Sequence, residues 1–253
     1  MISIKSKEEI EIMKKAGRIA EKVLDDFNLF IKAGITTDQL DSRAKEIIER
    51  EGGIPAFKGY KGYPGNICTS INDVVVHGIP KEEALKNADI ISIDVGVMYE
   101  GYFSDSARTY AVGNASKDAQ RLMDVTKKSL YTGIAEARAN GRLSNISHAI
   151  QSYVESHGYS VVRALVGHGI GSKMHENPEV PNYGEPNKGI VLMPGMTLAI
   201  EPMVNEGSYD VEVLGDGWTV VTKDGKLSAH FEHTVLVTKD TPEILTEWRK
   251  KKQ

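Results

Sequence analysis

Apolar residues recur at helical spacing through the start of the chain and predict a pair of amphipathic helices. Ser6 with Glu9 three residues later is typical of a helix N-terminus, and the apolar stripe behind this pair predicts a helix that runs to about Phe30. A second stripe begins behind Thr36 and stops at Gly52, so a second helix is predicted between these two residues.

Residues 90–112 form two strand-like runs joined at Tyr99-Glu100-Gly101, and each run carries an aspartate where an apolar residue is expected. If Tyr99 and Glu100 are a two-residue loop, Asp94 faces Asp105 directly, with about 4.5–5.5 Å between their Cβ atoms. Two carboxylates this close repel each other unless a proton or a cation lies between them. A cation is the leading interpretation, and the rest of the chain must supply its other ligands.

A second helix pair and further strands follow, which resembles the plan of the first half. Helices are predicted from Ser116 to Asn140-Gly141 and from Ser144 to Gly158, with strands around 161–166, 197–204, 218–222 and 230–237. The likeness of residues 33–53 to 139–159 indicates a duplication, although any two amphipathic helices look alike at this level. Helices packed on antiparallel strands predict an α+β fold. We expect a single catalytic domain over 1–253, with pseudo-symmetric halves of about 1–113 and 114–253.

The composition gives no reason to expect a nucleic-acid or membrane partner. The net charge is -4, and no apolar run approaches the roughly 20 residues that span a bilayer. Cys68 is the single cysteine, so an internal disulfide is excluded and a reducing compartment is expected. The N-terminus lacks the basic and apolar regions of a signal peptide, which predicts a cytoplasmic protein.

Three more ionisable residues take positions that the pattern would make apolar: His168, flanked by glycines, and the carboxylates Glu201 and Glu232. Taken singly, each has an ordinary explanation as a solvent-facing strand end or a buried pair. Together with Asp94 and Asp105 they give four carboxylates and one imidazole, which cannot share a core without cations. Two divalent ions about 3.5–4 Å apart would balance these charges. The lack of cysteine ligands argues against a structural zinc site.

Two further histidines could contact a substrate. His77 ends the apolar run 73–77, and His175 lies in a loop rich in glycine and proline. A near-neutral imidazole suits hydrogen bonding to a scissile amide or an oxyanion, although each residue alone is an ordinary loop histidine. The spacing from His168 to His175 is not that of a helical metal motif, so His175 is not assigned as a ligand.

With these residues aligned, the chain resembles the type I methionine aminopeptidases over essentially its whole length. The matching segments are GYKGYPGNICTSINDVVVHGIP (59–80), IDVGVMYEGYFSDSART (93–109), GHGIG (167–171), MPGMTLAIEPMV (193–204), DGWTVVTKDG (216–225) and SAHFEHTVLVT (228–238). The resemblance implies the pita-bread fold of the creatinase and aminopeptidase group, with two pseudo-symmetric halves over a curved, mainly antiparallel sheet. It also implies a monomer that removes the N-terminal methionine from nascent polypeptides near the ribosome when the second residue is small.

The resemblance implies a role for each of the candidate residues. Two divalent ions (Co, Mn, Fe or Zn) would be held by Asp94, Asp105, His168, Glu201 and Glu232, and would activate a water for attack on the first peptide bond. Glu201 would shuttle the proton, His77 would contact the scissile nitrogen, and His175 would steady the oxyanion.

The positions that form the methionine pocket in the family map onto Phe57, Tyr60, Tyr63, Cys68, His77, Met174, His175 and Trp218. Without the resemblance, an aromatic loop such as 55–66 would indicate a core lid. Phe57 and Met174 replace the cysteine and phenylalanine of the best-known bacterial members, and His230 replaces a glutamine. The resemblance also implies a monovalent cation site near Asn72, Val74 and Ser228.

Two other interpretations were weighed. An aminopeptidase P or a prolidase would share the five metal ligands, but such enzymes usually carry a large extra N-terminal domain and lack the GYxGYP loop. A non-catalytic relative that binds protein or RNA would have lost metal ligands, and all five are present here. Both comparisons favour the methionine aminopeptidase.

Overall fold

The computed structural model describes residues 2–248 of the chain. The helices in that part are α1 Lys7–Phe30, α2 Thr37–Arg50, α3 Lys117–Ala135 and α4 Leu143–Ser156, with one 3₁₀ turn at Tyr60–Gly62. The strands are β1 Ile54–Pro55, β2 Cys68–Ile71, β3 Val74–Val76, β4 Ile90–Tyr99, β5 Tyr102–Ala111, β6 Ser160–Val161, β7 Gly167–Gly169, β8 Glu176–Val180, β9 Thr197–Ile200, β10 Met203–Asn205, β11 Val211–Val213, β12 Val220–Thr222, β13 Ser228–His230, β14 His233–Leu236 and β15 Glu243–Ile244. The paired strands are antiparallel, and helices and strands together confirm the predicted α+β class.

The helix starts in the first half agree with the sequence prediction. Ser6 and Thr36 are both N-caps, and each forms a complete capping box with the residue three positions later. The second half differs in two places. The helix α3 begins behind Ser116 as predicted but ends at Ala135, because residues 136–141 form turns of their own. The N-cap of α4 is Arg142 and not Ser144.

The turn between β4 and β5 consists of Glu100 and Gly101, and not of Tyr99 and Glu100 as the sequence suggested. Both residues have positive φ, 47° and 83°, which is the requirement of the type I′ hairpin turn. Such a turn matches the right-handed twist of the flanking strands, and glycine at its second position carries no steric penalty. The shift of the turn by one residue changes the pairing of the whole hairpin.

The expected face-to-face pairing of the two aspartates is therefore wrong. Asp94 lies opposite Ala107, and Asp105 lies opposite Gly96. Because Asp105 and Ala107 are two positions apart on β5, their side chains share one face of the sheet. The two aspartates are diagonal neighbours, within reach of each other, and the electrostatic argument for a cation holds in this register.

The strands form four sheets around the hairpin. In the first, β4 pairs with β5 along one edge and with β1 and β2 along the other. The other sheets have the orders β13-β10-β6, β11-β12-β3 and β15-β14-β9-β7-β8. The helix α1 packs on β4 and β5, and α3 packs against α4. There are two large apolar clusters. One contains residues of α1 and α2, and the other contains residues of α3 and α4.

Two of the predicted strands are interrupted. The run 197–204 divides into β9 and β10 at Glu201-Pro202, and the run 230–237 divides into β13 and β14 at Phe231-Glu232. The strand β9 pairs with β14, and β10 pairs with β13. The two segments 197–205 and 228–236 therefore pass from one sheet to the next side by side. A proline cannot donate to a strand ladder, which explains why the pairing of the first run ends there.

Two smaller differences concern the second half. The predicted strand 161–166 is reduced to β6, and β8 lies inside the loop rich in glycine and proline, where no strand was predicted. Among residues 2–248, no helix is both long enough and apolar enough to cross a membrane.

Candidate active site and metal centre

The predicted site residues converge on a single cavity of about 150 Å³. Its walls come from both halves of the chain and are formed by Phe57, Tyr60, Lys61, Tyr63, Cys68, His77, Asp94, Asp105, His168, His175, Glu201, Trp218 and Glu232. All five predicted metal ligands are among them. Of the predicted pocket residues, Met174 alone does not line this cavity.

Three of the predicted ligands form a tight buried group. The ligand atoms of Asp105, His168 and Glu232 all lie within 4.8 Å of one another. Glu201 joins them, since its Oε1 is 3.6 Å from Nε2 of His168. Asp94 extends the group through its carboxyl contact with Asp105. The five side chains therefore form one cluster of oxygen and nitrogen donors.

The carboxyl groups of this cluster are held in a strongly unfavourable environment for negative charge. Burial, reinforced by the neighbouring carboxyl groups, raises the pKa of Asp94, Glu201 and Glu232 well above the ordinary range. Burial also raises the pKa of Asp105. Within residues 2–248, none of the four pairs with a lysine or arginine, so protein cations do not offset this cost.

The hydrogen bond of His168 shows which of its ring nitrogens can bind a cation. Its Nδ1 lies 2.9 Å from the carbonyl oxygen of Gly169, which can only accept a hydrogen bond. We therefore assign the proton to Nδ1, and Nε2 presents its lone pair toward Glu201. Burial lowers the pKa of His168 and keeps the ring neutral, the form that coordinates metals.

The donor set fits a divalent cation. Oδ1 of Asp94 and Oε1 of Glu232 are buried acceptors without a hydrogen-bond partner in the described part of the chain. Unsatisfied buried acceptors are costly, and a bound cation would satisfy both oxygens and offset the charge of the four carboxylates. Carboxylate oxygens with one imidazole suit hard or borderline divalent metals.

The hairpin and the strand breaks are bonded to each other where the ligands lie. Glu232 donates its backbone N–H to the carbonyl of Ala107 at 2.9 Å, and the Ser106 hydroxyl donates to the carbonyl of Glu232 at 2.9 Å. The Thr234 hydroxyl donates to the carbonyl of Asp105 at 2.8 Å. These bonds fix the backbone of Glu232 relative to that of Asp105, although the two residues are far apart in sequence.

An aromatic wall lies beside the carboxylate cluster. Tyr63 makes edge-to-face contacts with Phe57 at 6.5 Å and with Trp218 at 5.2 Å between ring centroids. Cys68 is buried next to them. Met174 packs behind Phe57 against Gly96, where a Cβ atom would lie only 2.5–2.6 Å from these two side chains. Glycine at this position therefore permits the close packing of the wall.

The two predicted substrate-contacting histidines both line the cavity. His77 has a positive φ of 60° and packs against Trp218, and burial lowers its pKa. His175 keeps an exposed edge, and its ring centroid lies 4.1 Å from that of His168. Burial of the ring and then the neighbouring His168 lower the pKa of His175. Both histidines are therefore neutral at neutral pH.

The cavity also contains features that the sequence did not reveal. Lys61 lines it from the turn of the aromatic loop, with a positive φ of 49°. His230, noted in the sequence only as a substitution, is buried with Nε2 3.9 Å from Oε2 of Glu201. In the sequence, His230 stands between two apolar residues, which is only a weak indication that its side chain is buried in the site.

Comparison with known proteins shows the family of the chain. The family model described as metallopeptidase family M24 matches residues 11–239, which defines the class as a metallopeptidase. Methionine aminopeptidase 1 of Bacillus subtilis is 54% identical over 246 residues, which cover 97% of this chain and 99% of the relative. Methionine aminopeptidase of Clostridium perfringens is 53% identical over 246 residues, again covering 97% and 99%. The chain belongs to the methionine aminopeptidases of family M24, as the resemblance implied.

Solved structures give the same result for the fold. The crystal structure of methionine aminopeptidase from Thermotoga maritima superposes with a TM-score of 0.96 and 47% identity, covering 98% of this chain and 100% of that one. Prolidase from Pyrococcus furiosus superposes at 0.80 with 24% identity, covering 98% of this chain and 66% of the prolidase. The latter likeness concerns the fold alone. Together they confirm the pita-bread fold.

Proposed function

We propose that this chain removes the N-terminal methionine from polypeptides whose second residue is small. The observation that carries this proposal is the apolar aromatic wall directly beside a buried cluster of metal-binding carboxylates in one cavity of about 150 Å³. A pocket of this size suits one side chain, and a flexible thioether suits a wall of aromatic rings and a thiol.

The ligand set of the proposal is Asp94, Asp105, His168, Glu201 and Glu232. Two divalent ions of the Mn, Fe, Co or Zn class, held by these residues, supply Lewis-acid activation of a water and of the scissile carbonyl. The lone pair of Nε2 of His168 is free because Nδ1 bonds to the Gly169 carbonyl. Carboxylate oxygens of Asp105 and Glu232 lie close to the His168 ring nitrogen. Burial raises the pKa of Glu201, so its carboxyl group takes up a proton more readily than a free glutamate does, which suits a proton shuttle.

The remaining cavity residues bind and orient the peptide. Phe57, Tyr63, Cys68 and Trp218 hold the methionine side chain and exclude water from it. The His77 ring contacts the scissile nitrogen, and His175 donates to the oxygen that becomes negative in the transition state. A donor of this kind contributes about 10²–10³ in rate.

A methionine release assay on the metal-loaded protein tests this function. Free methionine should appear from Met-Gly and Met-Ala peptides. An X-Pro dipeptidase is the second candidate, because prolidases share the fold, so Ala-Pro peptides are included. Cleavage of Ala-Pro without cleavage of Met-Ala would contradict the proposal and favour the second candidate.

His175→Ala separates the role of donor from that of ligand. We expect kcat to fall by about 10²-fold while the bound metal is retained, because in this proposal His175 donates a hydrogen bond and does not coordinate the metal. Metal content is measured by atomic emission on the purified variant. Loss of metal would make His175 a ligand.

The proposal includes a cellular setting and an origin. The enzyme works as a monomer in the cytoplasm on chains that emerge from the ribosome, and sedimentation of the purified protein should give the mass of one chain. A mass of two chains would contradict the monomer. The two helix pairs, α1 with α2 and α3 with α4, support an origin of halves 1–113 and 114–253 by duplication. Poor superposition of the two halves would contradict it.

We also propose a monovalent cation near Asn72, Val74 and Ser228. Ser228 donates its N–H to the carbonyl of Asn72 at 2.9 Å, and Asn72 has a positive φ of 54°, so the backbones of these segments meet. Replacing sodium with potassium at constant ionic strength should shift the melting temperature. Equal melting temperatures in sodium, potassium and choline would contradict this site.

A further inference from the structure

We propose that the hydroxyl group of Tyr60 holds His175 in the tautomer that carries its proton on Nε2, which makes Tyr60 a positioning residue. The inference rests on the proposed function of His175 as the donor to the oxyanion. It adds a second role to a residue that was otherwise assigned to the methionine pocket.

Tyr60 and His175 are joined by a hydrogen bond and by a contact between their rings. The Tyr60 hydroxyl oxygen lies 2.9 Å from Nδ1 of His175, and the two rings are nearly parallel, with centroids 5.3 Å apart and an interplanar angle of 14°. On its other side the His175 ring contacts His168 at 4.1 Å. With Nδ1 engaged by Tyr60, Nε2 is the ring nitrogen left for the cavity that His175 lines.

The direction of this hydrogen bond follows from the surroundings of the two groups. Among residues 2–248, Nδ1 of His175 is the one hydrogen-bond partner of the Tyr60 hydroxyl, so the hydroxyl proton is best satisfied by donation to that nitrogen. The opposite direction would leave the hydroxyl proton without an acceptor in the described part of the chain. Donation from the hydroxyl to Nδ1 leaves the ring proton on Nε2, which is therefore the better arrangement.

Tyr60 is held in place by its own backbone. It begins the 3₁₀ turn Tyr60–Gly62 directly after Gly59, whose φ of 82° lies in the left-handed region. Its N–H donates to the carbonyl of Phe57 at 2.9 Å, and its carbonyl accepts from the N–H of Tyr63 at 2.9 Å. The hydroxyl therefore reaches His175 from a fixed loop and selects the tautomer before substrate binds.

The consequence for the reaction is that only one tautomer of His175 can donate to a developing negative oxygen. In the other tautomer Nε2 offers a lone pair, which repels that oxygen. A third group that fixes the tautomer of a histidine is a recurrent part of catalytic constellations. Removing the hydroxyl should lower the population of the competent tautomer and leave substrate binding by the aromatic wall in place.

Tyr60→Phe removes the hydroxyl and keeps the ring, and nitrogen NMR of ¹⁵N-histidine-labelled, metal-free protein reads the tautomer directly. The spectrum of His175 among the seven histidines is assigned by its loss in His175→Ala. We expect the wild type to carry the proton on Nε2 and Tyr60→Phe to show a mixture of both tautomers. Tyr99→Phe is the matched control, since its hydroxyl bonds to Lys15 outside the cavity. A proton on Nδ1 in the wild type, or an unchanged His175 in Tyr60→Phe, would overturn the inference.

Steady-state kinetics give the second measurement. Tyr60→Phe should lower kcat about threefold to tenfold with KM changed less than about twofold, which corresponds to the loss of one neutral hydrogen bond. Tyr99→Phe should leave kcat unchanged. A fall in kcat without a change of tautomer would overturn the positioning role. Failure of the wild type to release methionine would instead refute the proposed function, whereas the NMR result concerns Tyr60 alone.

Discussion

The proposed carboxylate ligands of the first half and those of the second half are positioned by different structural devices. Asp94 and Asp105 lie on β4 and β5, two uninterrupted strands of the same hairpin. Glu201 and Glu232 lie where strands stop, between β9 and β10 and between β13 and β14. Carboxylate donors are thus positioned by strand register in the first half and by breaks in the strand ladder in the second half.

The difference shows how a backbone without a ladder partner is kept in place. Within a strand, hydrogen bonds to both neighbours fix each side chain. At the breaks, other groups take over: Glu232 bonds to Ala107 and Ser106 of the hairpin, and the carbonyl of Glu201 accepts from the Asn182 side chain at 3.0 Å. The backbone at each break is therefore hydrogen-bonded outside a strand ladder, and the hairpin provides the partners of Glu232.

The largest effect is expected at Glu201, the ligand that also shuttles the proton in the proposed function. Glu201→Gln should lower kcat by about 10³-fold or more, because the amide neither carries the negative charge nor accepts the proton. Methionine release from Met-Ala measures this loss. The exposed Glu185→Gln is the matched control and should keep full activity. Near-normal turnover by Glu201→Gln would show that the shuttle lies elsewhere.

Ser106→Ala tests whether the hairpin holds the break at Glu232. The change removes the hydroxyl that bonds to the Glu232 carbonyl, and we expect metal affinity to fall by about 10-fold, together with about 1 kcal/mol of the free energy of unfolding. Ser104→Ala is a close control: it is equally buried on the same strand, but its hydroxyl bonds to the Met13 carbonyl of α1.

Calorimetric titration with metal and chemical denaturation separate the two variants. Both should lose a similar free energy of unfolding, and only Ser106→Ala should lose metal affinity. Equal metal affinity in the two variants would mean that the breaks hold their ligands independently of the hairpin.

At both kinds of position a metal competes with protons for the carboxyl groups. Burial raises the pKa of all four carboxyl groups, so each binds a proton more readily than in water, and metal binding releases these protons. Metal affinity should therefore rise with pH across neutrality, by up to about tenfold per pH unit for each proton displaced. Titration calorimetry in two buffers of different ionisation enthalpy counts the protons. An affinity that is constant with pH, with no proton released, would contradict the raised pKa values.

The smallest effect is expected at the hairpin turn. Glu100 has a positive φ of 47°, a region that asparagine tolerates better than glutamate. Glu100→Asn should therefore increase the free energy of unfolding by about 0.5 kcal/mol and leave metal affinity unchanged, because the register stays the same. Thermal unfolding measures the gain. A lower melting temperature, or a changed metal affinity, would indicate that the turn does not set the register in this way.

Local signals in the sequence predicted the elements that depend on local bonds. The helix starts at Ser6 and Thr36 depend on capping boxes between residues three positions apart, and both starts were predicted correctly. The hairpin itself was predicted, but its register was not, because a turn of Glu100 and Gly101 requires a left-handed glutamate that carries no sequence signal. The shared face of the two aspartates remained correct, since the true register differs by an even number of positions.

The strand breaks could not be predicted from the apolar pattern. Residues 197–204 are mostly apolar and residues 230–237 mix apolar with ionisable positions, and Pro202 was the one local sign of an interruption in the first run. The breaks arise because the chain moves from one sheet to another, which depends on partners distant in sequence. The five candidate ligands were nevertheless found. Ionisable residues among apolar ones indicate a buried polar site, and this indication does not depend on where the strands end.

The most direct test is anomalous diffraction from a crystal of the manganese- or cobalt-loaded protein. We expect metal peaks in the cavity, with carboxylate oxygens of both the hairpin ligands, Asp94 and Asp105, and the break ligands, Glu201 and Glu232, at about 2.0–2.2 Å. Metal bound by the hairpin aspartates alone, with Glu201 and Glu232 uncoordinated, would contradict a single centre assembled from both halves of the chain.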